Sequence, residues 1–144
     1  MKKIANMDIL LNSSNINKSI IEIDEFICAL CKDGEKLQNL TEPQKFYFFN
    51  QTLEREVNNG GFDQYFCNEG EKYAYETLTS LKAIGANKTA DILQRAISLV
   101  LKKKEKGEDI EIEIWDELDA EFLKYQDDLN LLNINYVKKN KEYF

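Results

Sequence analysis

The sequence predicts an all-α fold, a compact single-domain bundle of about five to six helices, and three observations carry that expectation. Apolar residues recur at steps of three and four along most of the 144-residue chain, which is the helical period. Helix-starting and helix-stopping residues punctuate those stretches at short intervals. Alternation of the strand type occurs only over Glu111–Trp115, and a lone strand has no ladder partner.

Residues 1–14 are polar and without a strong period, so they are expected to form a flexible lead-in to a single helical domain over 15–144. From Ile16 the positions Ile16, Ile20, Ile23, Ile27, Leu30 and Cys31 make a helical stripe that weakens at Lys32–Gly34. A second helix opens at Thr41, where Gln44 completes a capping-box pattern and Pro43 falls in the tolerant first turn. Its buried face is expected to be Phe46, Phe49, Leu53 and Val57, and Asn58-Asn59-Gly60-Gly61 ends it. A short helical turn over Phe62–Cys67 follows this Asn-Gly-Gly motif. A third long helix over about 71–84 turns Tyr75, Leu78, Leu81 and Ile84 inward and stops at Gly85. Asn87 is expected to cap a fourth, carrying Ala90, Leu93, Ile97, Val100 and Leu101. Glu111–Trp115 then reads as an extended link pinned by its Ile and Trp side chains. Asp116 caps a helix through about Tyr125, and Asp127 or Asp128 caps a last one through about Lys139.

Composition narrows the function classes. A 43% hydrophobic share supplies a core without disulfides or metal. Three cysteines, an odd number, argue against a secreted disulfide framework. Lys2 and Lys3 are followed by Asn6, Asp8 and Asn12, which interrupt any signal-peptide core, and no apolar run reaches the length of a membrane span. The expectation is a reduced, cytoplasmic, soluble protein.

The net charge is −7, and all of it resides late in the chain. Residues 1–107 hold fifteen Lys/Arg and fifteen Asp/Glu, whereas residues 108–144 hold four and eleven. Such an asymmetry repels nucleic acid and attracts basic surfaces. Glu108, Asp109, Glu111, Glu113, Asp116, Glu117, Asp119, Glu121, Asp127 and Asp128 are answered only by Lys124 over that span. In helical register Glu113, Glu117 and Glu121 form a row with a rise of about 6 Å per step. One DNA strand carries a charge about every 3.4 Å, and Asp116 and Asp119 beside the row narrow the gap. The competing interpretation is a solvated surface in which Asp116 and Asp127 only cap helices.

Glu56, Asn58, Asn59, Gly60, Gly61, Phe62, Gln64, Tyr65, Phe66 and Asn68 form a second constellation. Structurally, its glycines permit a tight turn, its aromatics wedge between helices, and Gln64 and Asn68 tie up the turn's backbone groups. Functionally, Glu56, Asn59, Gln64 and Asn68 could face a small ligand. The Gly60-Gly61 pair lacks P-loop spacing and its lysine, so it is a weak phosphate signal.

Cys28-x-x-Cys31 falls late in a helix, where the dipole does not favour thiolates, so these cysteines and Cys67 are expected to be buried and inert. No metal site is expected, since a zinc cage would lack ligands. The chain has no histidine, which removes Ser/His/Asp and Cys/His machinery. No cofactor is indicated.

The stretch Glu54–Asn68, with Leu81–Ala86, Thr89–Leu93, Leu118–Phe122, Tyr136-Val137 and Phe144, resembles the bacterial DNA-mimic protein C-terminal-domain family over about residues 40–144. Most members of that family have no assigned function. The resemblance implies an all-helical domain and, from one member, an acidic surface that occupies the DNA-binding face of a transcription regulator. It supplies no catalytic residues. The chain departs from the family pattern in lacking histidine, including at Asp63 in the motif.

Together these point to a non-catalytic interaction protein, an acidic DNA-mimic-like inhibitor of a basic DNA-binding partner. The alternative is a small-ligand-binding or enzymatic domain using the Asn58–Asn68 turn. Direct nucleic-acid binding through Lys102–Lys104 and Lys106 is disfavoured by the nearby acids, and no membrane contact is expected. Oligomeric state is left open, a homodimer included.

Overall fold

The computed structural model describes residues 3–144, and these are helical, with no strand among them. A five-residue helix α1 (Met7–Leu11) precedes six longer ones: α2 (Ile16–Leu30), α3 (Glu42–Tyr65), α4 (Glu71–Ile84), α5 (Asn87–Lys106), α6 (Ile112–Phe122) and α7 (Leu129–Lys139). A π-helical turn over Phe66–Gly70 joins α3 directly to α4.

α3 is the spine. Its start follows the sequence signal: the Thr41 hydroxyl accepts from the Gln44 N–H at 3.3 Å, and Gln44 Oε1 accepts from the Thr41 N–H at 2.9 Å. This reciprocal pair satisfies two donors that a helix start leaves orphaned. The first half of α3 buries Tyr47, Phe48 and Phe49 in one apolar cluster with α1, α2, α7 and Phe144. The second half buries Leu53, Val57, Phe62 and Tyr65 in another, with α4, α5 and α6.

Four local expectations are corrected. The lead-in contains α1, whose Met7 and Leu11, one helical turn apart, are buried against the core; two apolar residues suffice once a core exists to receive them. Residues 1 and 2 of that lead-in lie outside the described residues. Glu111–Trp115 is not an extended link, because α6 begins at Ile112 and Asp116 lies within the helix rather than at its cap. The alternation misleads here since Ile112 and Ile114 remain 69% and 37% exposed, while Trp115, Leu118 and Phe122 form the buried helical stripe. Asn87 is the first residue of α5 and not its cap. Tyr75 faces solvent, and α4 buries Ala74, Thr77, Leu78, Leu81 and Ile84 instead. Among the described residues no helix is long and apolar enough to cross a membrane.

Candidate functional site

The polar turn and the acidic segment, separate in sequence, meet in space. α3 breaks at Gly60 and Gly61, and Gly61 has φ 76° and ψ −176°. That conformation is essentially confined to glycine. A Cβ on Gly61 would also overlap the Asp119 carboxylate. The helix restarts at Phe62, which leaves first-turn N–H groups without intrahelical acceptors. Asp119 Oδ1, on α6, accepts the Phe62 N–H at 2.8 Å. Burial raises the Asp119 pKa and this hydrogen bond opposes the rise.

The motif's aromatics pack against the same side of α6, where Trp115 and Phe122 lie beside Asp119 in helical register. Phe62 meets Phe122 edge-on with ring centroids 5.7 Å apart, and Phe66 lies 6.0 Å from Trp115. Tyr65 is buried and donates its hydroxyl to Thr77 Oγ1 at 3.1 Å, linking the turn to α4.

The polar half of the motif is held by Glu56. Its Oε2 accepts from Gln64 Nε2 at 2.7 Å and from Asn68 Nδ2 at 2.9 Å. Asn59 Nδ2 reaches Gln64 Oε1 at 3.4 Å, and Asn58 Nδ2 donates to the Glu54 carbonyl and the Tyr125 hydroxyl, each at 2.7 Å. Gln64 and Asn68 therefore tie a carboxylate and not, as expected, the turn's backbone. The backbone task falls to Asp119, 57 residues downstream of Phe62, a distance at which no local pattern could reveal it.

The other carboxylates of the acidic segment divide by use. Asp127 Oδ2 accepts from the Thr89 N–H at 2.7 Å and the Thr89 hydroxyl at 2.9 Å, completing the first turn of α5 in place of Ala86, which has no side-chain acceptor. Asp128 caps α7 by accepting from the Leu131 N–H at 3.1 Å. Glu121 binds Arg95 at 2.5 Å, and that hydrogen bond lowers the Glu121 pKa. Asp109 meets Lys103 at 3.3 Å. Glu108, Glu111, Glu113, Asp116 and Glu117 are exposed, and among the described residues none of them forms an ion pair. At 100° per residue, Glu113, Asp116 and Glu117 project opposite Trp115, Leu118 and Phe122.

One carboxylate outside both constellations is chemically unusual. Glu54 lies in a cleft of ≈ 430 Å³ beside Tyr125, Asp128, Leu129 and Asn130. Burial pushes its pKa up to about 7, against a lowering hydrogen bond from Tyr125 and with Asp24 and Asp128 adding to the rise. Sequence inspection could not single it out, because its setting depends on residues more than 70 positions away. Burial and Asp24 push the Cys28 thiol up to about 12, and burial raises Cys31; Cys67, expected to be buried, is exposed. Among the described residues no group of His, Cys, Asp and Glu has metal-holding geometry.

No curated protein and no solved structure matches the chain. A family match spans residues 38–140, which covers α3 through α7 together with the motif and the whole acidic segment. The chain belongs to the DMP19-like protein family.

Proposed function

We propose that this chain is a non-catalytic interaction protein of the DNA-mimic type, which covers the DNA-binding surface of a basic partner. The observation that carries it is the outward row on α6. Glu113, Asp116 and Glu117, with Glu108 and Glu111 just before them, are exposed, and among the described residues none of them forms an ion pair. Family membership supports the same interpretation. The row is also rigidly seated, because the motif's aromatics and the Asp119–Phe62 contact hold the helix beneath it.

The physical basis is counterion exchange. A surface built for DNA carries Lys and Arg spaced to meet phosphates about 3.4 Å apart along a strand. Glu113 and Glu117 rise about 6 Å from one another along the helix, and Asp116 falls between them. Half of the ten acidic residues first considered are committed to helix starts or ion pairs within the chain. The docking surface is therefore smaller than the charge count suggests.

The ligand-binding alternative is weakened by the same geometry. Glu56, Asn59, Gln64 and Asn68, the side chains that would face a ligand, bond one another.

The test is capture of partners on the immobilised chain, followed by elution. Retention should fall steeply between about 50 mM and about 200 mM salt, and duplex DNA carrying the partner's site should displace the chain. Glu113→Lys, Asp116→Lys and Glu117→Lys together should abolish capture. Retention indifferent to salt and to DNA would reject the proposal.

A further inference from the structure

α5 and α6 leave a groove along their shared edge. Two adjoining hollows of ≈ 270 Å³ and ≈ 380 Å³ share Leu99 and Ile114. Leu118 and Ile110 extend the apolar lining, and Ile114 is left 37% exposed. Ser98, on α5, opens one side, with its hydroxyl turned back to the Gln94 carbonyl.

The groove's rim is charged. Arg95 is held by Asp91 and Glu121, and Lys103 by Asp109. Among the described residues, what lines the rim without an ion pair is Glu108, Glu111 and Glu117 against one ammonium, Lys102. The rim continues directly into Glu113 and Asp116 on the outward side of α6.

A site that met its partner by charge alone would not need an apolar floor. Leaving that floor wet while the acids dock would waste the main driving force for association. A groove with an apolar floor and an acidic rim matches a helix that carries an apolar stripe flanked by Lys and Arg. We infer that the partner presents such a basic amphipathic helix, and that one of its apolar side chains inserts between Leu99 and Ile114. The inference rests on the proposed acidic docking surface and specifies what that surface binds.

The probe is a pair of labelled helical peptides of equal Lys and Arg content, titrated against the full chain by fluorescence anisotropy. One carries leucine at i and i+4 on one side; the other carries glutamine there. The leucine peptide should bind about tenfold more tightly. That ratio should persist while both affinities fall between about 50 mM and about 200 mM salt. Ile114→Ser should remove the ratio, and Ser98→Trp, which fills the groove without removing its floor, should do the same. Neither variant should change the affinity for the glutamine peptide, and helical circular dichroism should be retained.

Equal affinity for the two peptides would overturn the groove while leaving charge docking intact. Failure of both peptides to bind at low salt would overturn both. A leucine advantage that survives both variants would place the apolar contact elsewhere and also overturn it. Concentration-dependent self-association abolished by Ile114→Ser would assign the groove to a second copy of the chain, against the inference.

Discussion

Asp119 and the Glu113–Asp116–Glu117 row lie on one eleven-residue helix, yet they differ in burial and in what they bond. Asp119 turns toward the broken spine, holds a backbone N–H and has its pKa raised by burial. The row is exposed, and among the described residues none of its carboxylates forms an ion pair. The difference comes from orientation about the helix axis for Glu113 and Glu117, which lie about 120° and about 160° from Asp119, whereas Asp116, about 60° away, sits beside it at the solvent edge. An acid count along a sequence measures both populations together. Only the positions of neighbouring helix starts separate anchors from surface.

The contrast can be broken most severely at the anchor. Gly61→Ala forces a side chain into a glycine-only conformation and against the Asp119 carboxylate. It should destabilise by about 3 kcal/mol in urea unfolding. A cost near zero would mean that the kink is not fixed by this contact. Asp119→Ala leaves the Phe62 N–H without an acceptor and should cost about 2 kcal/mol, whereas Asp119→Asn, which keeps an acceptor oxygen, should cost less.

Glu54 sharpens the comparison, being an inward carboxylate without a backbone N–H to hold. Its pKa of about 7 in the folded chain lies above its ordinary 4.5. The folded state therefore keeps this proton longer than the unfolded state, and stability declines as pH rises from 4.5 through 7. Glu54→Gln should flatten that decline and add about 1–2 kcal/mol at alkaline pH. Chemical denaturation at a series of pH values checks it; an unchanged slope would remove Glu54 as the source.

The smallest stability effect belongs to the outward row. Glu113→Lys, Asp116→Lys and Glu117→Lys combined should shift stability by less than about 1 kcal/mol. A larger loss would show that these residues, too, act as anchors.

Much of the fold was legible because its signals are local. Thr41 and Gln44 sit three residues apart and cap as their types suggest. Ile20, Ile23 and Ile27 mark the buried side of α2 by spacing alone. The acceptors for Phe62 and Thr89 were not legible, since Asp119 and Asp127 come from distant segments. The alternation at Glu111–Trp115 obscured the start of α6, because exposed Ile112 and Ile114 mimic a two-sided strand. At the candidate site the sequence displayed the right residues in two lists. It could not show that one list seats the other, nor that Ile114 borders a groove with Leu99.

The Asp119–Phe62 and Asp127–Thr89 bonds also have a consequence for synthesis. Each joins a helix start in the middle of the chain to an acceptor that leaves the ribosome 57 and 38 residues later. A nascent chain that has not yet emitted α6 lacks the acceptor for the Phe62 N–H, and its Phe62 and Phe66 rings have no Phe122 or Trp115 to cover them. The acidic segment thus completes the cover over the Phe62 and Phe66 rings, and a chain ending before it lacks their α6 partners.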